Sequence, residues 1–381
     1  MKNIDSKLPE VGTTIFTTIG KLAQVHSAVN LSQGFPNFET DPKLTTLVQE
    51  ATRSGHNQYA PMEGVYSLRE AIAEKIASLY GRVYHPESEI TITAGATQAI
   101  FTAIAAFIQP DDEVIVFKPA YDCYEPTIEL FGGKVVPIQL QTEDFKIDWN
   151  AFTEALSEST KMVIINTPHN PSGTILSEAD MLQLQAHLKN TDILLLSDEV
   201  YEHIIFDGQH HQSAAKFDDL ASRSLICSSF GKTFHVTGWK LGYCVGPKVL
   251  MREFQKVHQY NVFCVNHPMQ KAISDYLRHP ENYLGLNDFY EQKRDYFLKA
   301  IHPSRFHVKP CAGTYFQVLG YSAITDEPDI AFVERLIKEY KIASIPISVF
   351  NLNNEDNLQL RFCFAKTEET LNKAAEILNQ I

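Results

Sequence analysis

The sequence predicts an α/β fold built on a mostly parallel sheet with helices on both faces, and three observations carry that prediction. Between about residue 90 and residue 246, short and almost wholly apolar runs alternate with helical patterns, which is how strands buried on both faces read. The chemically promising polar residues follow these runs, and the carboxyl ends of strands are where open α/β sheets bind ligands. After about residue 281 the pattern becomes a long amphipathic helix, hairpin-like strands and a terminal helix, which marks a second, smaller α+β domain.

In chain order, Glu89–Thr93 is the first run, and Ala94–Ile100 opens an Ala/Ile-rich helix behind it. Glu113–Phe117 is a strand that ends at Pro119, and Met162–Ile165 runs into the turn-rich segment Asn166-Thr167-Pro168-His169-Asn170-Pro171-Ser172-Gly173. Ile193–Ser197 leads to Asp198 and Glu199; Ser224–Cys227 and Gly242–Gly246 complete the set. The amphipathic helix runs from Tyr290 to Ile301 and the terminal helix starts at Glu368. With the amino-terminal arm assigned to the smaller unit, the expected division is 46–280 for a large domain and 1–45 with 281–381 for a small one.

A chain of 381 residues has room for two domains with a deep cleft between them. Its 33 Lys and Arg against 46 Asp and Glu give a net charge of −13, so nucleic acid is not an expected partner. Cys123, Cys227, Cys244, Cys264, Cys311 and Cys363 form no CxxC pair and read as buried free thiols in a reducing compartment. Met1–Lys7 has no apolar signal core and no run reaches membrane-spanning length, so a cytoplasmic location without membrane contact is expected. The histidines are scattered, His210 and His211 fall in a polar loop, and no metal site is expected.

Lys232 follows the run Ser224–Cys227, so its amine reaches the carboxyl edge of the sheet, beside Ser229 and Thr233, with Lys240 eight residues on. Such an amine can form a Schiff base with an aldehyde cofactor, and the hydroxyls and second cation can hold a phosphate. Asp198 leaves a buried strand end, where its charge needs a cation; a protonated pyridine nitrogen is one, and a helix cap or structural ion pair would also place a carboxylate there. Tyr201 could set its phenol beside a ring hydroxyl, and Asn170 could donate to the same oxygen; taken singly they read as a packing tyrosine and a turn residue. Gly95-Ala96-Thr97 lies at a strand-to-helix junction, an anion site or an ordinary cap. Tyr121 follows another strand end, where its face could stack on a flat ring. Arg361 stands opposite Leu358, Leu360, Phe362 and Phe364 in an alternating strand, so it needs an anion: a substrate carboxylate or an internal acid. Arg69 and Arg294 sit on helical patterns with carboxylates close in sequence and read as structural.

Together these segments resemble the fold-type I, class I/II aminotransferases that use pyridoxal 5′-phosphate, over essentially the whole chain. The Ser-x-x-Lys element is met at Ser229–Lys232 with Lys240-Leu241-Gly242 after it, Asn-Pro-x-Gly at Asn170–Gly173, Asp-x-x-Tyr at Asp198 and Tyr201, and the terminal arginine at Arg361. The resemblance implies the PLP-transferase fold type I, with a seven-stranded sheet in the large domain, and a homodimer with its site at the subunit interface. Lys232 would form the Schiff base and shuttle the proton, Asp198 would pair with the ring nitrogen, and Asn170 and Tyr201 would contact the ring oxygen. Gly95, Ala96, Thr97, Ser229 and Lys240 would hold the phosphate, with Tyr59 given by the partner subunit, and Tyr121 would stack on the ring. Arg361, assisted by Asn170 and the backbone of Gly34, would clamp the substrate carboxylate. Many relatives carry arginine at the Lys240 position, and the lysine suggests a subgroup.

The segments Asn30–Phe38, Asn57–Met62 and Thr233–Lys240 resemble the bacterial methionine aminotransferases, related to kynurenine and glutamine aminotransferases. Phe16, Tyr59, Tyr121 and Phe263 of a partner would supply an aromatic pocket suited to a thioether or apolar side chain. The leading expectation is transamination of L-methionine and aromatic amino acids with a 2-oxo acid. The alternative is a kynurenine/glutamine aminotransferase with cysteine-S-conjugate C–S β-lyase activity. A ligand sensor of this fold joined to a DNA-binding domain is a third reading, against which the charge of −13 weighs.

Overall fold

The computed structural model describes residues 5–381, so Met1–Ile4, part of the stretch read for a leader, lies outside the described residues. The strands are β1 (Val29–Asn30), β2 (Ile90–Thr93), β3 (Glu113–Lys118), β4 (Lys134–Gln139), β5 (Thr160–Asn166), β6 (Leu194–Asp198), β7 (Ser224–Ser229), β8 (Gly242–Val245), β9 (His307–Val308), β10 (Phe316–Gly320), β11 (Ile342–Ala343), β12 (Ile345–Pro346) and β13 (Gln359–Cys363). Seven form one sheet in the order β2-β8-β7-β6-β5-β3-β4, in which β8 alone runs against its neighbours. The strand that the apolar pattern does not reveal is β4, whose burial is broken and which carries Pro137. It lies at the sheet edge, where a residue without an N–H is tolerated.

Successive residues of the central strands face opposite cores. Val114, Val116, Met162, Ile164, Leu196, Leu225 and Cys244 pack under the helices Ala96–Phe107 and Lys248–Asn261. Ile115, Val163, Ile165, Leu195, Ile226 and Val245 face the opposite core, which continues into the second unit. That unit holds a four-stranded antiparallel sheet, order β12-β13-β10-β9, with the helices Leu286–Ile301 and Glu368–Leu378. The amino-terminal arm joins it through the parallel β1–β11 pair, and the Cys363 amide donates to the Leu31 carbonyl. Since the large sheet draws every strand from 90–245 and the smaller from 307–363, we propose the 46–280 division with 1–45 and 281–381 as the second unit. Among the described residues no helix is long and apolar enough to cross a membrane.

Some polar residues sit otherwise than expected. Arg69 donates to the Gly64 and Pro86 carbonyls rather than to a carboxylate. Arg294 bonds neighbouring Asp295, but its bidentate partner is Asp207, distant in sequence. His211 is buried with Nε2 2.7 Å from Glu199. The cysteines are free, but Cys123 and Cys264 are half-buried because they lie in the loops Tyr121–Cys123 and Val262–Val265 rather than in strands.

Behind the carboxyl end of β7 and the amino end of β8, which lie side by side, a buried polar cluster holds both ends in place. Lys75 Nζ, from the helix Tyr66–Tyr80, donates to Glu202 Oε1 at 2.6 Å and to the Tyr243 hydroxyl at 2.7 Å. Glu202 also accepts from Tyr80, Ser228 and Tyr243. Burial alone would raise the Glu202 pKa, but Lys75, with His203 and the Tyr80 hydroxyl, outweighs it and holds the carboxyl well below the usual range. Breaking a buried pair from one side leaves an uncompensated charge, so Lys75→Met should cost about 3–5 kcal/mol, read as a lower urea midpoint with unchanged m-value. Adding Glu202→Gln, which removes the charge but keeps an acceptor for the hydroxyls, should recover part of that loss.

Candidate active site

The large sheet opens at its carboxyl edge into a cavity of about 260 Å³. Asn166, Asp198 and Ser229 are the last residues of β5, β6 and β7, and all three line it. Asn166 and Asp198 are register partners; Asn166 Nδ2 donates to the Asp198 carbonyl, and its Oδ1 accepts from the Asn170 amide. One amide thus braces two site segments.

Lys232 lies in the short helix Phe230–Thr233, which the Ser229 hydroxyl caps at the Gly231 amide. Its Nζ donates to the Gly34 carbonyl at 2.9 Å and stands between two phenol rings, 5.7 Å from the centroid of Tyr201 and 5.4 Å from that of Tyr315. Burial lowers its pKa to about 8, with the positive Arg361 and Lys240 adding to the shift. Asp198 is 3% exposed. Burial raises its carboxyl to about 6, against the Tyr124 hydroxyl at 2.6 Å and the Val200 amide at 3.3 Å, which favour the ionised form.

Arg361, on β13, is 1% exposed. It donates to Asn170 Oδ1 and to the Ser32 carbonyl, each at 2.8 Å, and lies 3.9 Å over the Phe316 ring. Among the described residues it has no carboxylate partner, and its Nε has no hydrogen-bond partner at all. A buried guanidinium left this way is a site for an anion.

At the other end of the cavity, Ala96 and Thr97 open the helix Ala96–Phe107 behind Gly95, whose φ of 79° suits glycine. A Cβ on Gly95 would lie 3.4 Å from Lys240 Nζ, and one on Gly242 only 2.5 Å from the Ser228 carbonyl oxygen. Small residues thus let backbone amides, the hydroxyls of Thr97 and Ser229, and Lys240 converge, a donor set that fits a phosphate. Tyr121 walls the cavity with its hydroxyl 3.4 Å from Thr97 Oγ1, and Phe16, Gly34, Asn170 and Tyr201 complete it.

Tyr59 and Phe263, expected from a partner subunit, do not line the cavity of their own chain. Tyr59 is 80% exposed and Phe263 44% exposed, and their rings meet each other edge to face at 5.3 Å. Conversely, Tyr124, Asn166, Val200, Thr237, Ile100 and Phe316 contribute without having been singled out in the sequence. Asn166 carried a signal, a polar residue closing an apolar run; Tyr124, the first residue of the helix Tyr124–Leu130, carried none.

The profile of the family described as aminotransferase class I and II matches residues 26–378. The chain is 49% identical over 377 residues to the methionine aminotransferase of Escherichia coli (strain K12), covering 99% of this chain and 98% of that protein. It is 32% identical over 406 residues to kynurenine–oxoglutarate transaminase 3 of Homo sapiens, covering 98% and 89%. The crystal structure of YbdL from Escherichia coli, reported with a methionine aminotransferase function, superposes with a TM-score of 0.97 at 49% identity, covering 100% of each chain.

The Tyr124–Asp198 contact has a pH consequence. Below about 6 the Asp198 carboxyl is protonated and cannot pair with a ring N–H⁺, so the affinity of the cofactor-free protein for pyridoxal 5′-phosphate should fall as pH drops through that value. Tyr124→Phe removes a donor to the carboxylate, raises its midpoint, and should move this limb upward by about one unit. Binding titrations against pH read the shift; superimposable curves would remove Tyr124 from the site.

Proposed function

Because the chain belongs to the class I and II aminotransferases, enzymes that use pyridoxal 5′-phosphate, we propose that it transfers the amino group of L-methionine and aromatic amino acids to a 2-oxo acid. The observation that carries this reading is the convergence of one depressed lysine, one unpaired buried arginine and one buried aspartate on a single cavity. The residues present fit the cofactor: a glycine-lined donor set for its phosphate and a buried carboxylate opposite. When bound, the cofactor supplies an aldehyde carbon that takes up the amino group and a ring that stores the electron pair released at the substrate Cα.

The chain's own groups do the rest. Lys232 Nζ would take the proton from the substrate Cα and give it up at the cofactor's aldehyde carbon. Asp198 would keep a proton on the ring nitrogen, while Asn170 and Tyr201 would hold the ring oxygen. Ala96, Thr97, Ser229 and Lys240 would hold the phosphate, and Tyr121 would stack on the ring. Arg361 binds the substrate carboxylate through its fork, with Asn170 and the Gly34 backbone beside it. Phe16 and Tyr121 offer the side chain an apolar, aromatic wall, favourable to a thioether. The Escherichia coli relative called a methionine aminotransferase supports that substrate.

The exposure of the Tyr59–Phe263 pair supports a homodimer in which each subunit lends these rings to the other's site. Six free cysteines support a reducing, cytoplasmic setting. A second reading, kynurenine or glutamine transamination with β-lyase activity on cysteine conjugates, is favoured by the aromatic wall and by the human kynurenine–oxoglutarate relative.

Lys232→Ala should lose the near-visible absorbance of the bound cofactor and slow transamination by at least about 10⁴-fold; wild-type turnover in that variant would sink the assignment. A panel of amino donors and oxo acids, scored by kcat/KM, should rank methionine first, and release of pyruvate and thiol without an oxo acid would establish the lyase. Size-exclusion chromatography should show a dimer, and a fully active monomer would contradict the shared site.

A further inference from the structure

Tyr315 does not line the cavity, yet it shares an acceptor with the reactive lysine. Its hydroxyl donates to the Gly34 carbonyl oxygen at 2.6 Å, and Lys232 Nζ donates to the same oxygen at 2.9 Å. Tyr315 is fully buried, and its ring meets that of Tyr201 edge to face with centroids 5.2 Å apart. Gly34 is packed so closely against this segment that a Cβ on it would lie 2.5 Å from the Phe316 ring and 3.5 Å from Tyr315. The carbonyl is therefore held by packing on one side and by the phenol on the other.

We propose that Tyr315 is a positioning residue for proton transfer: it fixes the Gly34 carbonyl and takes up part of its acceptor capacity, so that the free Lys232 amine is oriented with its lone pair available. A carbonyl oxygen already holding a phenol donor attracts an ammonium less than one offered to the lysine alone. A neutral amine donating one N–H to that oxygen keeps its lone pair for a substrate proton; an ammonium has none to give. This inference rests on the assignment of Lys232 as the reactive amine.

The test uses the full chain freed of cofactor and mixed with pyridoxal. The neutral Nζ adds to the aldehyde carbon, water leaves, and the rate of imine absorbance follows the unprotonated fraction of the lysine. A band that persists in Lys232→Ala overturns the assignment of the amine itself. With that band absent, Tyr315→Phe should raise the pH midpoint of imine formation by about half a unit to one unit and slow the reaction about three- to tenfold at pH 7. Placing 3-fluorotyrosine at position 315, a stronger donor of nearly the same shape, should move the midpoint the other way. A midpoint unchanged in both variants, even with a lowered melting temperature, assigns Tyr315 to packing alone and overturns the proposal.

Discussion

A carboxylate taken out of water stays charged only where cations and donors are fixed against it, and Glu202 meets that condition through Lys75, Tyr80, Ser228 and Tyr243. The location of this cluster matters more than its strength. Glu202 follows Tyr201 and Ser228 precedes Ser229, both lining the cavity, and Tyr243 follows Gly242, which packs against Gly95 and Ala96, so three of its members are chain neighbours of residues at or beside the site. In β7 and β8 neighbouring side chains point to opposite faces. The same strand ends therefore present Ser229 to the cavity while Ser228 and Tyr243 lock the backbone from behind. The helix Tyr66–Tyr80, which contributes nothing to the cavity itself, becomes a support for it through one ammonium and one phenol.

On the cavity side the charge balance is lopsided. Lys232, Lys240 and Arg361 face one carboxylate, Asp198, within walls that include Phe16, Ile100, Tyr121 and Phe316. Three cations at low dielectric repel one another, and both Arg361 and Lys240 push the Lys232 amine toward neutrality. Two anions relieve that repulsion, one against Lys240 and one against Arg361. These are the two ends of the cavity, a phosphate at the helix start and a carboxylate at the arginine fork, and the neutralised middle is where the amine works.

Much of this was legible in the sequence, and the boundary of what was legible has a physical cause. Strands buried on both faces announce themselves as apolar runs, so β2, β3, β5, β6, β7 and β8 were readable, while the half-buried edge strand β4 was not. Lys232, Asp198, Asn170, Tyr201 and Gly95–Thr97 were readable because each follows a strand run, and that position alone brings them to one edge. Pairs formed by folding leave no such trace. Lys75 and Glu202 lie 127 residues apart, and Arg361 and Asn170 lie 191 apart. Tyr124 meets Asp198 across 74 residues, and nothing in the sequence around it distinguishes a hydroxyl that touches a carboxylate from one that touches water.

Desolvation, which holds the fold's interior together, also sets the chemistry. It penalises charge of either sign, so it raises Asp198 to about 6 and lowers Lys232 to about 8. Near pH 7 the carboxyl is then still ionised by about ten to one, while about a tenth of the lysine is already a free base. An exposed lysine at the same pH would be neutral less than about once in a thousand. Deeper burial of the pair would gain more free amine but lose the carboxylate, since the two midpoints move toward and then past each other. The Tyr124 hydroxyl and the Val200 amide hold the lower midpoint below neutrality by favouring the charged carboxyl. Neighbouring cations hold the upper one down without any further burial. The site therefore depends on partners that separate two groups which burial alone would drive to the same state.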